Sequence, residues 1–148
     1  MKNFNPMSIE EFNNKLAGGK EANCMLFAFG TFRDMSKSIL DYNLWGFRTT
    51  PIQEIVEKAG SEFGRLKLRK IDSLEIAPKD KYIIGFYLKK PRNEYEGHYD
   101  YHFIRRELDG SWVEKPSWIH KEACSANLNA LRIEFGMDPI LFVVEEVL

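Results

Sequence analysis

Residues 82–88 read Tyr-Ile-Ile-Gly-Phe-Tyr-Leu, an uncharged apolar and aromatic run that restricts the fold more than any other segment. A continuous run of this kind is typical of a strand that lies in the middle of a sheet, where both faces are covered. Its aromatic and β-branched side chains are also those that strands favour. The sequence therefore predicts a sheet in which this segment is a central strand.

Further strand signals lie on both sides of this run. Residues 65–69 alternate between basic and apolar side chains, which predicts a half-buried strand. Residues 98–107 and 111–115 flank an Asp-Gly pair, the strongest short-range signal for a β-hairpin. The apolar run at 140–144 predicts a last strand, and residues 127–135 are either a short helix or an irregular connection.

Helix signals are concentrated ahead of the predicted sheet. Ser8 and Glu11 form a capping box, which predicts that a helix begins there. Residues 24–29 are apolar all round, so a helix in this segment would be buried. A second capping box begins at Thr50 and opens a helix that we expect to stop near Gly60.

The order of these signals predicts one α+β domain over residues 1–148, with N-terminal helices packed on a C-terminal antiparallel sheet. The length is typical of a single domain. The chain is 44% hydrophobic and 29% charged, a composition that excludes a disordered or collagen-like protein.

Charge and hydropathy limit the partners and the location of the protein. The formal net charge is −1, so no global field recruits nucleic acid, and we expect no nucleic-acid partner. No apolar run approaches the roughly 18 residues needed to span a bilayer. The N-terminus lacks the apolar region of a signal peptide, so we expect a cytoplasmic protein or one secreted without a cleaved leader. The oligomeric state is not indicated.

Motifs for metals and cofactors are not found in the sequence. It contains no glycine-rich phosphate loop, no paired Cys-x-x-Cys and no His-Glu-x-x-His. The histidines His98, His102 and His120 lack metal-ligand spacing with either Cys24 or Cys124. We therefore expect neither a metal nor a cofactor.

Cys24 is the candidate nucleophile. It follows a polar stretch and opens the predicted buried helix. A helix N-terminus carries about half a positive charge, which stabilises a thiolate, and the thiolate is the attacking species in cysteine catalysis. A purely structural cysteine would fit better in the middle of the apolar run, although packing alone is the alternative for any single cysteine.

His102 is the candidate general base. It lies in the first strand of the predicted hairpin, which would hold the imidazole rigidly against a facing helix. For this residue, too, packing alone is the alternative. If both residues act together, the Cys24 sulfur and a His102 ring nitrogen should lie within roughly 4 Å of each other in an accessible groove.

Three motifs resemble a group of small bacterial papain-like cysteine hydrolases. Residues 23–31 read Asn-Cys-Met-Leu-Phe-Ala-Phe-Gly-Thr and are similar to the group's Asn-Cys-aromatic-x-Tyr-Ala-Leu-Gly. Residues 100–105 read Asp-Tyr-His-Phe-Ile-Arg, similar to Asp-Tyr-His-x-Tyr-Arg. Residues 109–116 read Asp-Gly-Ser-Trp-Val-Glu-Lys-Pro, similar to Asp-Gly-x-Trp-Ser-His-Lys-Pro. The resemblance extends from residue 23 to about residue 144, and the layout also resembles papain-like cell-wall peptidases and amidases.

The resemblance implies a cysteine peptidase or amidase with a papain-like fold. Cys24 would be the nucleophile and His102 the base, and the substrate would be a protein, a peptidoglycan peptide or a glutamine side chain. A bacterial or phage effector or toxin is the setting that it suggests. It implies a protein or peptide partner and no cofactor.

The third catalytic residue departs from the group's pattern, because Glu114 stands where the group has histidine. A carboxylate can also accept the imidazole N–H and stabilise the imidazolium. A two-residue hairpin turn would pair His102 with Ser117 and place Glu114 on the opposite face. A three-residue turn with a glycine bulge would bring Glu114 to the same face as His102, so Glu114 and Ser117 both stay candidates.

Four further residues are candidates for the surroundings of the site. Asn23 either supplies a donor to the oxyanion, together with the Cys24 backbone N–H, or is the N-cap of the helix. Tyr99, Tyr101 and Trp112 either frame a substrate groove or pack in the core.

Two other functions are compatible with the sequence. The first is a catalytically impaired papain-like scaffold that recognises a protein partner, which the substitution at Glu114 and the many aromatic residues suggest. The second is an RNA-binding domain, which requires five cations to share one face. These cations are Arg65, Lys67, Arg69, Arg105 and Arg106.

Overall fold

The computed structural model describes residues 4–19, 22–30, 51–63, 65–89, 100–116 and 122–147. Its helices are α1 (Ile9–Ala17), α2 (Cys24–Ala28), α3 (Ile52–Phe63) and α4 (Leu128–Phe135), with one 3₁₀ turn at Leu74–Ile76. Its strands are β1 (Leu66–Ile71), β2 (Ile83–Lys89), β3 (Asp100–Arg106), β4 (Trp112–Glu114), β5 (Cys124–Ser125) and β6 (Ile140–Val147). The α+β class that the sequence predicts is confirmed. Among these residues no helix is long and apolar enough to cross a membrane.

The six strands form one sheet in the order β1-β6-β2-β3-β4-β5. Each pair of neighbours is antiparallel. The predicted central strand is confirmed, since β2 lies between β6 and β3. The last strand, β6, returns to lie between β1 and β2, so the first and last strands of the sheet pair with each other at one edge.

Apolar layers cover both faces of the sheet. On one face, α2 and α3 pack against buried strand residues that include Phe86, Phe103 and Phe142. On the other face, Leu131 of α4 packs against Tyr87 and Ile104. Helices precede the sheet, as predicted, and the described residues include three of them. Helix α4 lies between β5 and β6, which resolves the open alternative for residues 127–135 in favour of a helix.

The predicted caps position the first two helices. Ser8 is the N-cap of α1, and its hydroxyl accepts a hydrogen bond from the Glu11 amide at 3.2 Å. Asn23 is the N-cap of α2, and its side-chain oxygen accepts from the Leu26 amide at 3.0 Å. Cys24 is therefore the first residue of a helix in which every residue is buried.

The end of α3 differs from the prediction, because the helix continues past Gly60 to Phe63. A Cβ atom at Gly60 would lie 2.8 Å from Cδ1 of Leu68 in strand β1. The glycine therefore allows β1 to pack closely against the helix, and it does not end the helix.

Candidate active site

The turn between β3 and β4 decides which side chains face His102. Ile104 pairs with Glu114, and Arg106 pairs with Trp112, so three residues form the loop between Glu107 and Ser111. Gly110 has a φ of 90° in this loop, a left-handed conformation that glycine adopts without strain. Of the two turns left open by the sequence, the structure has the three-residue turn with its glycine in the left-handed conformation.

This register places Glu114 beside His102. Residues Ile104 and His102 lie two apart on one strand, so both side chains are on the face that Glu114 shares. His102 Nε2 donates a hydrogen bond to Glu114 Oε1 at 3.2 Å. The side chains are 4% and 13% exposed, so water screens this ion pair weakly.

Cys24 lies beside the imidazole, on the side opposite Glu114. Its sulfur is near enough to the ring to contribute to the raised pKa of His102. Because Glu114 occupies Nε2, Nδ1 is the ring nitrogen that is available to the thiol. Strand β4 ends at Glu114, so among the described residues His102 lies beyond the part of β3 that pairs with β4.

The imidazole is held in its protonated form by its two neighbours. Burial by itself lowers the pKa of His102, because it disfavours the charged ring. The interactions of the ring with Cys24 and Glu114, including the negative charges of both groups, outweigh burial and raise the pKa to about 10. The ring is therefore an imidazolium at neutral pH, poised between a sulfur and a carboxylate.

Two aromatic rings fix the orientation of the imidazole. Phe135, at the end of α4, stacks on the ring with an interplanar angle of 6° and a centroid distance of 5.8 Å. Tyr87, which is directly opposite His102 on β2, lies 6.5 Å away. Phe135 also packs on Tyr87, at 5.2 Å, so α4 and β2 together enclose the ring.

The access to the site differs from the sequence-based expectation. Cys24 is 2% exposed and His102 is 3% exposed, so the expected groove is not open at these two residues. A substrate or reagent would reach the sulfur only after surrounding side chains move.

Asn23 links the start of α2 to strand β3. Its side-chain oxygen caps the helix through Leu26, and its Nδ2 donates to the hydroxyl of Tyr101 at 3.3 Å. The N-cap interpretation of Asn23 is confirmed, whereas its role toward an oxyanion stays a prediction. Tyr101 is partly buried and packs against the core cluster that contains Cys24.

The cap at Asn23 gives a test of how α2 is anchored. Replacing Asn23 with alanine removes both hydrogen bonds, and loss of an N-cap costs about 0.5–2 kcal/mol of stability. We expect Asn23→Ala to lower the free energy of unfolding in urea by about 1 kcal/mol. Asn23→Ser, which keeps a capping oxygen, should lose less, and equal losses in the two variants would show that the cap contributes nothing.

Arg105 anchors the other end of α2. Its side chain is completely buried, and Nη1 donates to the carbonyl of Phe27 at 2.8 Å. Its Nη2 donates to the carbonyl of Met7 at 3.0 Å and to the Glu107 carboxylate at 2.8 Å. The guanidinium also lies 4.6 Å from the centre of the Phe27 ring. Strand β3 therefore carries both the imidazole and the side chain that holds the cysteine-bearing helix.

The remaining candidates lie farther from the thiol or outside the described residues. Trp112 is partly buried and packs against apolar clusters on the α4 face of the sheet. Tyr99 and Ser117 lie outside the residues that the structure describes. Cys124 is exposed, forms no disulfide with Cys24, and pairs with Glu114 across β4 and β5.

The five cations that an RNA-binding function requires do not share an exposed face. Arg105 is buried, and Arg106 donates to the carbonyls of Pro78 and Lys81. Arg69 forms an ion pair with Glu145. This condition for RNA binding is therefore not met.

Sequence reasoning did not identify three residues around the site. Arg105 has a visible signal, because it follows Tyr101 and Phe103 at alternate positions of the strand, on the face that those aromatic residues share. Lys115, which is fully buried next to Glu114, has no signal beyond its position in the hairpin motif. Phe135 has none, since its contact with His102 depends on how α4 folds back over the sheet.

The described residues offer no group of three or more His, Cys, Asp or Glu side chains that could hold a metal ion. Cys24, His102 and Glu114 lie in series, with the ring in the middle, and do not converge on one point. That arrangement suits proton exchange between the thiol and the ring, with the carboxylate orienting the ring. In comparisons with known proteins, no family model, no curated protein and no solved structure matches this chain.

Proposed function

We propose that this chain is a papain-like cysteine hydrolase that cleaves an amide bond, acting as a peptidase or an amidase. The observation that carries the proposal is the position of the His102 imidazole between the Cys24 thiol and the Glu114 carboxylate. A thiol, an imidazole and an orienting oxygen in this order form the unit that cysteine proteases use. An N-terminal helix with the nucleophile, packed on an antiparallel sheet that carries the base, also supports a papain-like layout.

The proposed reaction has two stages. The Cys24 thiolate attacks the amide carbonyl carbon, and the His102 imidazolium gives its proton to the leaving amine as the C–N bond breaks. Water then attacks the thioester, the neutral imidazole takes a proton from that water, and the acid product leaves as the thiolate and imidazolium are restored. Glu114 holds the imidazole in orientation and stabilises its positive charge. The backbone N–H of Cys24, in the first turn of α2, would donate to the oxyanion.

The test is amide cleavage by the purified protein on three classes of substrate: a denatured protein, peptidoglycan fragments and glutamine-containing peptides. Mass spectrometry detects the new termini, and an ammonia assay detects side-chain deamidation. We expect wild type to cleave at least one class, Cys24→Ala to cleave none, and Cys124→Ala to keep the activity. Cleavage of no class by wild type, or equal cleavage by Cys24→Ala, would contradict the proposal.

A second candidate function is a papain-like binding module that recognises a protein partner. The near-complete burial of Cys24 and His102 favours it, because a closed thiol does not need to meet a substrate. Under this function the three side chains would stabilise the fold. The Cys24→Ala variant would then bind the partner as wild type does, and wild type would cleave no substrate of the panel.

A further inference from the structure

Helix α4 places the ring of Phe135 on the His102 imidazole. The two rings are nearly parallel, with an interplanar angle of 6°, and their centroids are 5.8 Å apart. Leu131 lies one turn earlier on the same face of α4. It is buried in one cluster with Tyr87 and Ile104, so it anchors the helix on the sheet. The position of Phe135 against the imidazole is therefore set by the packing of α4.

The imidazole in this stack carries a positive charge. Its Nε2 lies 3.2 Å from the Glu114 carboxylate, and both side chains are shielded from water. Burial lowers the pKa of His102, but the interactions with Cys24 and Glu114 outweigh burial and raise the pKa to about 10. The Tyr87 hydroxyl, on the neighbouring strand β2, stays neutral, because burial and the charges of Asp138 and Glu114 raise its pKa to about 12.

The charge of the ring changes what the contact with Phe135 contributes. The face of an aromatic ring is negative and attracts a cation that lies within about 6 Å of its centroid, most strongly where water is excluded. The His102 ring is within this distance of Phe135, and His102 is 3% exposed. A neutral imidazole gains only the stacking contact from the same ring. The stack therefore favours the charged form of His102 over the neutral form.

We propose that Phe135 is a positioning residue of the site, and that its ring stabilises the positive charge of the His102 imidazolium. The inference rests on the proposed hydrolase site and adds helix α4 to it. The imidazolium and the Cys24 thiolate form together when a proton moves from the sulfur to the ring. A residue that favours the charged ring therefore also favours the thiolate, which is the attacking species.

The stack changes with each stage of the proposed reaction. When the imidazolium gives its proton to the leaving amine, the His102 ring becomes neutral and its attraction to Phe135 is lost. When the thioester is hydrolysed, the ring takes a proton from the attacking water and the attraction returns. Phe135 neither gives nor takes a proton, but it favours the return of the site to the thiolate and the imidazolium.

The test is a graded fluorination of the ring at position 135. Phenylalanine with one, two or three ring fluorines has a progressively less negative face, while the shape of the side chain is nearly kept. The titration of the His102 ring is followed by NMR in ¹³C-histidine protein, and a His102→Ala sample identifies its resonance. Every titration is made in the Cys24→Ala protein, because a thiol would otherwise titrate together with the ring.

The midpoint of the His102 titration should fall with each added fluorine, by about 0.5–1 pH unit when the ring carries three. Phe135→Leu, which keeps an apolar side chain but has no aromatic face, should also lower the midpoint. The matched control carries the same three fluorines at Phe12, which is buried in another cluster and packs edge-on against Phe27. Fluorination at Phe12 should leave the His102 midpoint unchanged.

The outcomes separate this inference from the proposed function, because the titration does not depend on amide cleavage. A midpoint that is the same for every ring at position 135, or that falls equally with fluorination at Phe12, would overturn the role of Phe135 and leave the hydrolase proposal intact. A midpoint that falls with fluorination at position 135 alone, while the wild-type protein cleaves no amide, would support the stabilisation of the imidazolium while the hydrolase proposal fails.

Discussion

Replacing Arg105 with methionine is expected to lower the free energy of unfolding by about 3–5 kcal/mol, the range measured when one partner of a buried ionic network is removed. The guanidinium satisfies the carbonyls of Phe27 and Met7, and these oxygens would lose their donor in the variant. Each buried acceptor left unpaired costs about 1–3 kcal/mol. The Glu107 carboxylate would also lose its cation, although it is partly exposed and regains water.

Urea unfolding of Arg105→Met, followed by circular dichroism, measures this loss. Arg132→Met is the matched control, because Arg132 is an exposed arginine on α4 whose replacement should change stability by less than about 0.5 kcal/mol. A loss of less than about 1 kcal/mol in Arg105→Met would show that the buried hydrogen bonds are replaced by other contacts.

The Arg105 network also connects stability to the geometry of the site. His102 and Arg105 lie three residues apart on β3, and α2 is held by Arg105 at Phe27 and by Asn23 at its start. The distance between the thiol and the ring is therefore set by one strand and one short helix. Weakening either anchor should loosen the contact between Cys24 and His102 before the whole protein unfolds.

Local signals in the sequence were sufficient for most elements of the fold. The caps at Ser8 and Asn23 act within one turn of a helix, so they depend on neighbours along the chain only. The same holds for the continuous apolar run of β2 and for the Asp-Gly pair of the hairpin. These features predicted the α+β class and brought Cys24 and His102 into consideration.

The parts of the site that the sequence did not predict depend on long-range packing. One residue in the length of the hairpin turn decides whether Glu114 faces His102, and an Asp-Gly pair is compatible with either length. Phe135 reaches the imidazole because α4 packs against β2, which no local pattern reveals.

The rate at which iodoacetamide alkylates Cys24 is expected to depend much more strongly on pH in His102→Ala than in wild type. An ordinary thiol with a pKa of about 8.5 is about 0.3% thiolate at pH 6 and about 24% at pH 8. A thiol without the imidazolium should therefore react up to roughly 75-fold faster at pH 8 than at pH 6. The pKa of His102 is raised to about 10, so the ring stays charged at both pH values and can favour the thiolate at each of them. The wild-type rate should therefore change less between pH 6 and pH 8 than the rate of His102→Ala.

The quantity compared between proteins is the ratio of the alkylation rates at pH 8 and pH 6. Burial of Cys24 slows the reaction at both pH values, so it cancels from this ratio. Cys124 is the internal control, since its thiol is exposed and lies on the same chain. Glu114→Gln should lie between wild type and His102→Ala, because glutamine can still accept the ring N–H but provides no charge to hold the imidazolium. If Cys24 follows the same pH dependence as Cys124 in wild type, there is no thiolate–imidazolium pair, and the contact between Cys24 and His102 serves only the fold.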